Sequence, residues 1–174
     1  PLAKVGLSGD TEFPHLHFTV RRAGKVVDPF APNMANPAAC GAQQSLWTAA
    51  AARQMSYKAG AILNAGFAGA PVTMQDVEGG GIAPPGAGSA YVVAYARAIE
   101  LELGDTLEID LTGPGGTTLA HATTKPLDHD KAQYISFVGK KRPATGWAHG
   151  VYTAQIRVHR KGAVVLQRQV QATL

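Results

Sequence analysis

Only one cysteine, Cys40, occurs in 174 residues, so no disulfide can close within the chain and no redox compartment can be read from it. Its plainest role is that of a small buried thiol. No run of eighteen or more apolar residues is present, which excludes a membrane-crossing helix, and no signal-like segment opens the chain. Charged residues make up 16% and aromatics 7%, whereas glycine (20) and proline (11) are plentiful. That balance points to short strands and many turns, and hence to a mainly β protein. The length suits one ordinary domain, or a small domain with a piece of another.

Acidic residues are missing from one whole region. Through residue 130 there are twelve acids and eight Lys or Arg, a net charge of −4; from Lys131 to Leu174 there are eight Lys or Arg and no acid, a net of +8. The cationic end could attract an anionic envelope polymer or a lipid head group, and Lys140, Lys141, Arg142, Arg160 and Lys161 are the residues expected in turns there. Alternatively these cations face Glu100, Glu102, Asp105, Glu108 and Asp110 across a sheet, as cross-strand pairs. Their strand-like spacing favours the second arrangement, and the lack of interleaved aromatics argues against a nucleic-acid groove.

From Ala90 onward the texture is β throughout. Strands are expected near 91–101, 106–112, 117–123, 133–138, 151–159 and 164–173, punctuated by Gly104-Asp105, Gly113-Pro114-Gly115-Gly116, Lys125-Pro126 and Lys161-Gly162. This spacing predicts an immunoglobulin-like antiparallel sandwich over 90–174 that folds by itself, with Tyr152 as its corner tyrosine. Trp147 fits a loop aromatic covering the sandwich end better than an exposed glycan anchor. Upstream, 34–89 reads as a connector. A helix is expected over 42–55, Thr73-Met74-Gln75-Asp76 has the pattern of a capping box whose helical turn ends at Gly79-Gly80-Gly81, and Pro84-Pro85-Gly86 marks a last linker. The Asp128-His129-Asp130 turn reads as solvated, and His149 and His159 as isolated.

The first 33 residues carry the chemistry. Phe13-Pro14-His15-Leu16-His17-Phe18-Thr19-Val20 sets two imidazoles one residue apart in a β-favouring run. On a strand His15, His17 and Thr19 share one face while Leu16, Phe18 and Val20 share the other. Same-face neighbours lie roughly 6 to 7 Å apart, and an imidazole reaches zinc at about 2.0 to 2.1 Å, so both rings can converge on one metal and its water. Equally, two histidines can occupy the solvated face of an amphipathic hairpin turning at Ala23-Gly24.

Taken in order, Gly6, Ser8-Gly9, His15-Leu16-His17-Phe18, Gly24-Lys25 and Asp28-Pro29 resemble the C-terminal end of the catalytic domain of lysostaphin-type (LytM-like) zinc endopeptidases. The resemblance implies a metallopeptidase that cuts peptide bonds of peptidoglycan in the bacterial cell envelope, periplasmic or secreted. It implies that His17 is a Zn2+ ligand and His15 the catalytic histidine assisting the bound water. Thr19 stands where the family often has an acid, which removes no ligand. The family's remaining ligands, spaced His-x-x-x-Asp, fall upstream of His-x-His, and none of the six histidines here is followed by Asp four positions later. The expectation is therefore a fragment that begins within a catalytic domain (1–33) and is inactive by itself. A second reading makes the chain a non-catalytic accessory module that binds an envelope or protein partner.

Overall fold

The computed structural model describes residues 16–32, 45–55, 58 and 60–174. It divides into two compact units, 1–57 and 58–174.

In the first unit, β1 (Val20–Arg22) and β2 (Lys25–Val27) pair antiparallel, with Arg22 opposite Lys25. The two-residue turn has positive φ at both Ala23 (48°) and Gly24 (78°), the primed geometry that matches strand twist. Asp28 ends the hairpin: its Oδ1 accepts from the Phe30 amide at 2.8 Å and its carbonyl from Ala31 at 3.2 Å. Trp47 stacks on Phe18 at 5.7 Å and meets Phe30 at 5.8 Å between ring centroids. The helix expected over 42–55 is shorter: α1 covers Ala49–Gln54, because Thr48 caps it by accepting from the Ala51 amide at 3.3 Å. The strand expected from His15 also starts later, at Val20, and the strand expected near Lys4–Ser8 and the thiol of Cys40 lie outside the described residues. Leu16 and Phe18 are 77% and 60% exposed, so the apolar alternation there does not anchor a buried face.

The second unit is a two-sheet β-sandwich. Its strands are β3 (Ala61–Ala68), β4 (Tyr91–Leu101), β5 (Thr106–Thr112), β6 (Thr118–Thr123), β7 (Lys131–Lys141), β8 (Val151–Arg160) and β9 (Ala163–Thr173). One sheet has the order β3-β4-β7, the other β6-β5-β8-β9, and every pairing is antiparallel. Alternation fills the space between them: Val92, Ala94, Ala96 and Ala98 from β4 meet Leu107, Ile109 and Leu111 from β5 and Tyr152, Ala154, Ile156 and Val158 from β8, all buried. The corner tyrosine is as expected. Tyr152 is 1% exposed, and its hydroxyl donates to the Ala148 carbonyl at 2.9 Å, with Trp147 edge-on to its ring at 6.3 Å. Trp147 is buried and donates to Ser89 O at 2.8 Å, so it closes the sandwich end.

The expected domain boundary at residue 90 moves to residue 58. Residues 61–68, read as connector, form β3, whose register with β4 runs from Ala61 opposite Ile99 to Ala68 opposite Val93. The segment between β3 and β4 belongs to the fold as well. α2 (Met74–Gly79) opens with the expected capping box, in which the Thr73 hydroxyl accepts from the Asp76 amide and Asp76 Oδ2 accepts from the Thr73 amide at 2.8 Å, and it ends at Gly80 with φ 69°. Its Val77 packs with Val72, Ala68 and Val93 into a second cluster that also takes in Tyr95 and Ile135. The proline stretch is tied in by the Gly69 amide on Ala83 O at 3.3 Å.

Candidate functional site

The histidine pair is only half visible. His15 lies outside the described residues, and His17 sits in the extended segment ahead of β1, exposed, with Nε2 2.9 Å from the Thr19 hydroxyl. The two-residue spacing thus places His17 and Thr19 together, as a strand-like backbone requires. Among the described residues His17 joins no group of three His, Cys, Asp or Glu side chains able to share a metal ion. A catalytic zinc needs three protein ligands and an open position. One exposed imidazole does not make that set, and no chemical step is built on a metal here.

The structure gathers titratable side chains elsewhere, on the outer face of the four-stranded sheet. Register places Asp110 of β5 opposite His121 of β6, and Glu108 opposite Arg157 of β8. The Arg157 guanidinium donates to both Glu108 oxygens, at 3.1 and 3.0 Å, and also to Asp110. His121 Nδ1 lies 2.6 Å from Asp110 and His159 Nε2 2.6 Å from Glu108. His159, expected to be isolated, is therefore engaged. Its partner is 51 residues away in sequence, a pairing that only the strand register reveals. Hydrogen bonds from Arg157, then from His159, outweigh burial and hold the Glu108 carboxyl down at about 2. A carboxyl held that low is ionised at neutral pH and has no proton to give as a general acid. Glu108, Asp110 and His121 could in geometry share a cation, but the Arg157 guanidinium already lies across both carboxylates. The arrangement is an ion-pair ladder.

A second ladder rung fixes the turn between β4 and β5. Asp105 has no exposed surface; Arg160 grips it through two hydrogen bonds of 2.9 and 2.8 Å and reaches Glu102 at 2.6 Å. Burial alone would raise the Asp105 carboxyl, yet the Arg160 hydrogen bonds, the Glu102 amide and the Arg160 charge together hold it below the ordinary value. The expectation that C-terminal cations meet upstream acids across the sheet holds for Arg157 and Arg160. It also divides the expected five-residue cationic patch. Arg160 is consumed by carboxylates, and Lys161 follows it into the β8–β9 turn, at the opposite end of the sandwich from Lys140, Lys141 and Arg142, which are on the other sheet. In the Asp128-His129-Asp130 turn, Asp128 pairs with His129 and Lys131 at the surface, with Asp128 80% exposed, so the turn is solvated as expected, and Asp130 accepts from the Leu103 amide at 2.8 Å.

A shallow cleft of about 400 Å³ lies beside the end of β3, lined mainly by Ala68, Val72, Ile82, Pro84 and Ser89. Its carboxylate, Asp76, is committed to the α2 cap. No described helix is long and apolar enough to cross a membrane.

No protein-family model and no curated protein matches the chain. Among solved structures it is similar to a glycosyl hydrolase family 2 member from Bacteroides cellulosilyticus, with 11% identity and a TM-score of 0.35 over 48% of this chain and 12% of that one. It is similar also to a Bifidobacterium dentium beta-glucuronidase, with 13% identity and a TM-score of 0.38 over 67% of this chain and 18% of that one. A putative beta-galactosidase from Bacteroides fragilis aligns with 15% identity and a TM-score of 0.32 over 48% and 13%. The chain spans less than a fifth of the length of each. Likeness at this level carries nothing about activity, and the immunoglobulin-like sandwich rests on the strand order and the corner tyrosine above.

Proposed function

We propose that the chain is part of a lysostaphin-type zinc endopeptidase of peptidoglycan, in which residues 1–33 contribute His17 as a zinc ligand and His15 as the catalytic histidine, and in which the sandwich is a non-catalytic module. The observation that carries this reading is the ordered run Ser8-Gly9, His15-Leu16-His17-Phe18, Gly24-Lys25 and Asp28-Pro29. Its support in the geometry is that Gly24 and Asp28 have defined work, one in a primed turn and the other in the side-chain cap that ends the hairpin. The ion-pair ladders of the sandwich support its non-catalytic role, because Glu108 and Asp105 are held ionised by Arg157 and Arg160. A metal with three protein ligands would lower the pKa of its bound water to about 7 and polarise the scissile carbonyl. Residues 1–33 offer two imidazoles and the sequence contains no His-x-x-x-Asp, so by itself the chain lacks that ligand set.

The test compares zinc content and cleavage of a peptidoglycan cross-link peptide by this chain, by a polypeptide extended upstream through a His-x-x-x-Asp, and by the extended form with His17→Ala. Turnover and one tightly held zinc are expected only in the extended form, and both are lost with His17→Ala. Stoichiometric zinc and turnover in the short chain would show that the ligands are others.

A further inference from the structure

The arginines of the sandwich fall into two groups. Arg97, Arg157 and Arg160 bind carboxylates, and Arg168 donates to the carbonyls of Ile62 and Leu63 at 3.2 Å. Arg142 does neither. With Lys140 and Lys141 it forms three consecutive exposed cations that have no side-chain hydrogen bond or ion pair among the described residues.

Their backbone is nonetheless fixed. Lys140 and Lys141 are the last residues of β7, opposite Val92 and Tyr91, and the Arg142 amide continues the ladder onto Ala90 O at 2.8 Å. The three charges therefore flank a fixed strand end, Lys140 and Arg142 on one face and Lys141 on the other. Among the described residues none of the three is paired with an acid. The region from 131 to 174 holds no acid, and of the two carboxylates of α2, Glu78 is paired with Arg97 at 2.9 Å while Asp76 keeps its charge in the Thr73 cap. The acids around Glu102, Asp105, Asp128 and Asp130 gather where β7 begins, and a strand of that length puts its last residues roughly 33 Å from its first. That is about four Debye lengths at physiological ionic strength, so the acidic end does not screen the basic one.

We propose that Lys140, Lys141 and Arg142 form a docking surface for a linear polyanion whose phosphate groups recur along its length. Arginine supplies a planar fork that fits phosphate oxygens two at a time, and the lysines supply point charges beside it. The cleft at Ser89, beside Ala90, has no lysine or arginine in its lining and carries the Asp76 carboxylate, so it does not gather a small anion, and the charges at the strand end suit successive charges of a polymer better. Tyr91, opposite Lys141, and Phe137, four residues back on β7, are exposed beside this strand end, which is short of the aromatic series that holds single-stranded nucleic acids and of the apolar face that enters a lipid layer. This inference is independent of the zinc site, because none of its residues lies in 1–33.

The experiment measures binding of the full chain to long-chain inorganic polyphosphate at 50 and 200 mM NaCl. Three neutralised phosphates, at the salt slope of a single-stranded polyanion, predict a loss of about twentyfold over that interval. The Lys140→Gln/Lys141→Gln/Arg142→Gln variant is expected to lose at least tenfold at low salt, while Lys125→Gln/Lys161→Gln, at the other end of the sandwich, stays within twofold. Thermal melts of both variants confirm that the fold is retained. Absence of binding at 50 mM, equal losses in both variants, or tighter binding to phosphatidylserine vesicles or to single-stranded DNA than to polyphosphate would each overturn the proposal. Because His17 is untouched, loss of polyanion binding leaves the zinc and cleavage test unaffected, and failure of that test leaves this one standing.

Discussion

The hairpin unit and the sandwich hold their residues by different means. In the hairpin the backbone is shaped locally, by the Ala23-Gly24 turn and the Asp28 cap, and none of its described residues is buried. Aromatic contacts of Phe18 and Phe30 with Trp47 are its main tertiary packing, and the Trp47 indole N–H finds no hydrogen-bond partner among the described residues. In the sandwich the long-range contacts dominate: a closed apolar core, a corner tyrosine, and charged pairs that join residues about fifty positions apart. The lesson is that the stretch with the most suggestive chemistry is the one whose order depends least on a core, and the stretch with the firmest fold spends the carboxylates of its four-stranded sheet on holding itself together.

The largest effect should come from breaking the buried pair. Arg160→Met leaves Asp105 ionised without a partner and is expected to destabilise the sandwich by about 3 to 5 kcal/mol at pH 7, measured by urea unfolding. Adding Asp105→Asn should recover most of that loss. Phe18→Ala in the hairpin unit is expected to leave the same transition unmoved, since Phe18 is 60% exposed and absent from the sandwich core.

Next in size is a pH effect. Glu108 has its folded-state carboxyl at about 2 against an ordinary 4.5, so its contribution is complete above pH 4.5 and disappears as the pH falls toward 2. The stability gap between the protein and Glu108→Gln should therefore be widest near neutrality and close across that interval. A gap that stays constant from pH 7 to pH 2 would mean that the Arg157 and His159 contacts do not form in solution.

The smallest change is Tyr152→Phe, which deletes only the hydroxyl that donates to Ala148 O. A loss of about 1 kcal/mol is expected, with the near-ultraviolet signal of Trp147 altered because its ring meets Tyr152 edge-on.

Much of this was legible from residue pattern alone. The alternation of 151–160, the turn glycines and the capping box at Thr73 announced six strands and a helical turn close to their observed limits. β3 was hidden because its glycines look like linker. Gly60 has φ 101° and a side chain there would sit 2.9 Å from Ile99 O, while at Gly66 it would sit 2.9 Å from the Tyr95 hydroxyl, so the strand needs the residues that disguise it. Pro84-Pro85 misled in the same way, as a packed loop and not a hinge. The ladder of Glu108, Asp110, His121, Arg157 and His159 was only half legible: facing acids and bases were foreseeable, but which histidine meets which carboxylate follows from register, and register is set by the core-facing residues on the other side of the sheet.

The central claim is that the sandwich is complete only from residue 58, with β3 and α2 as parts of it. Residues 58–174 and 90–174, expressed separately, decide the matter by thermal unfolding and amide dispersion. The account predicts that 58–174 unfolds cooperatively at a midpoint matching the sandwich transition of the whole chain. It predicts that 90–174 does not, because β4 loses one of its two neighbours and Val93 the cover of Ala68, Val72 and Val77. A 90–174 fragment as stable as 58–174, or a 58–174 fragment without a cooperative transition, would contradict it.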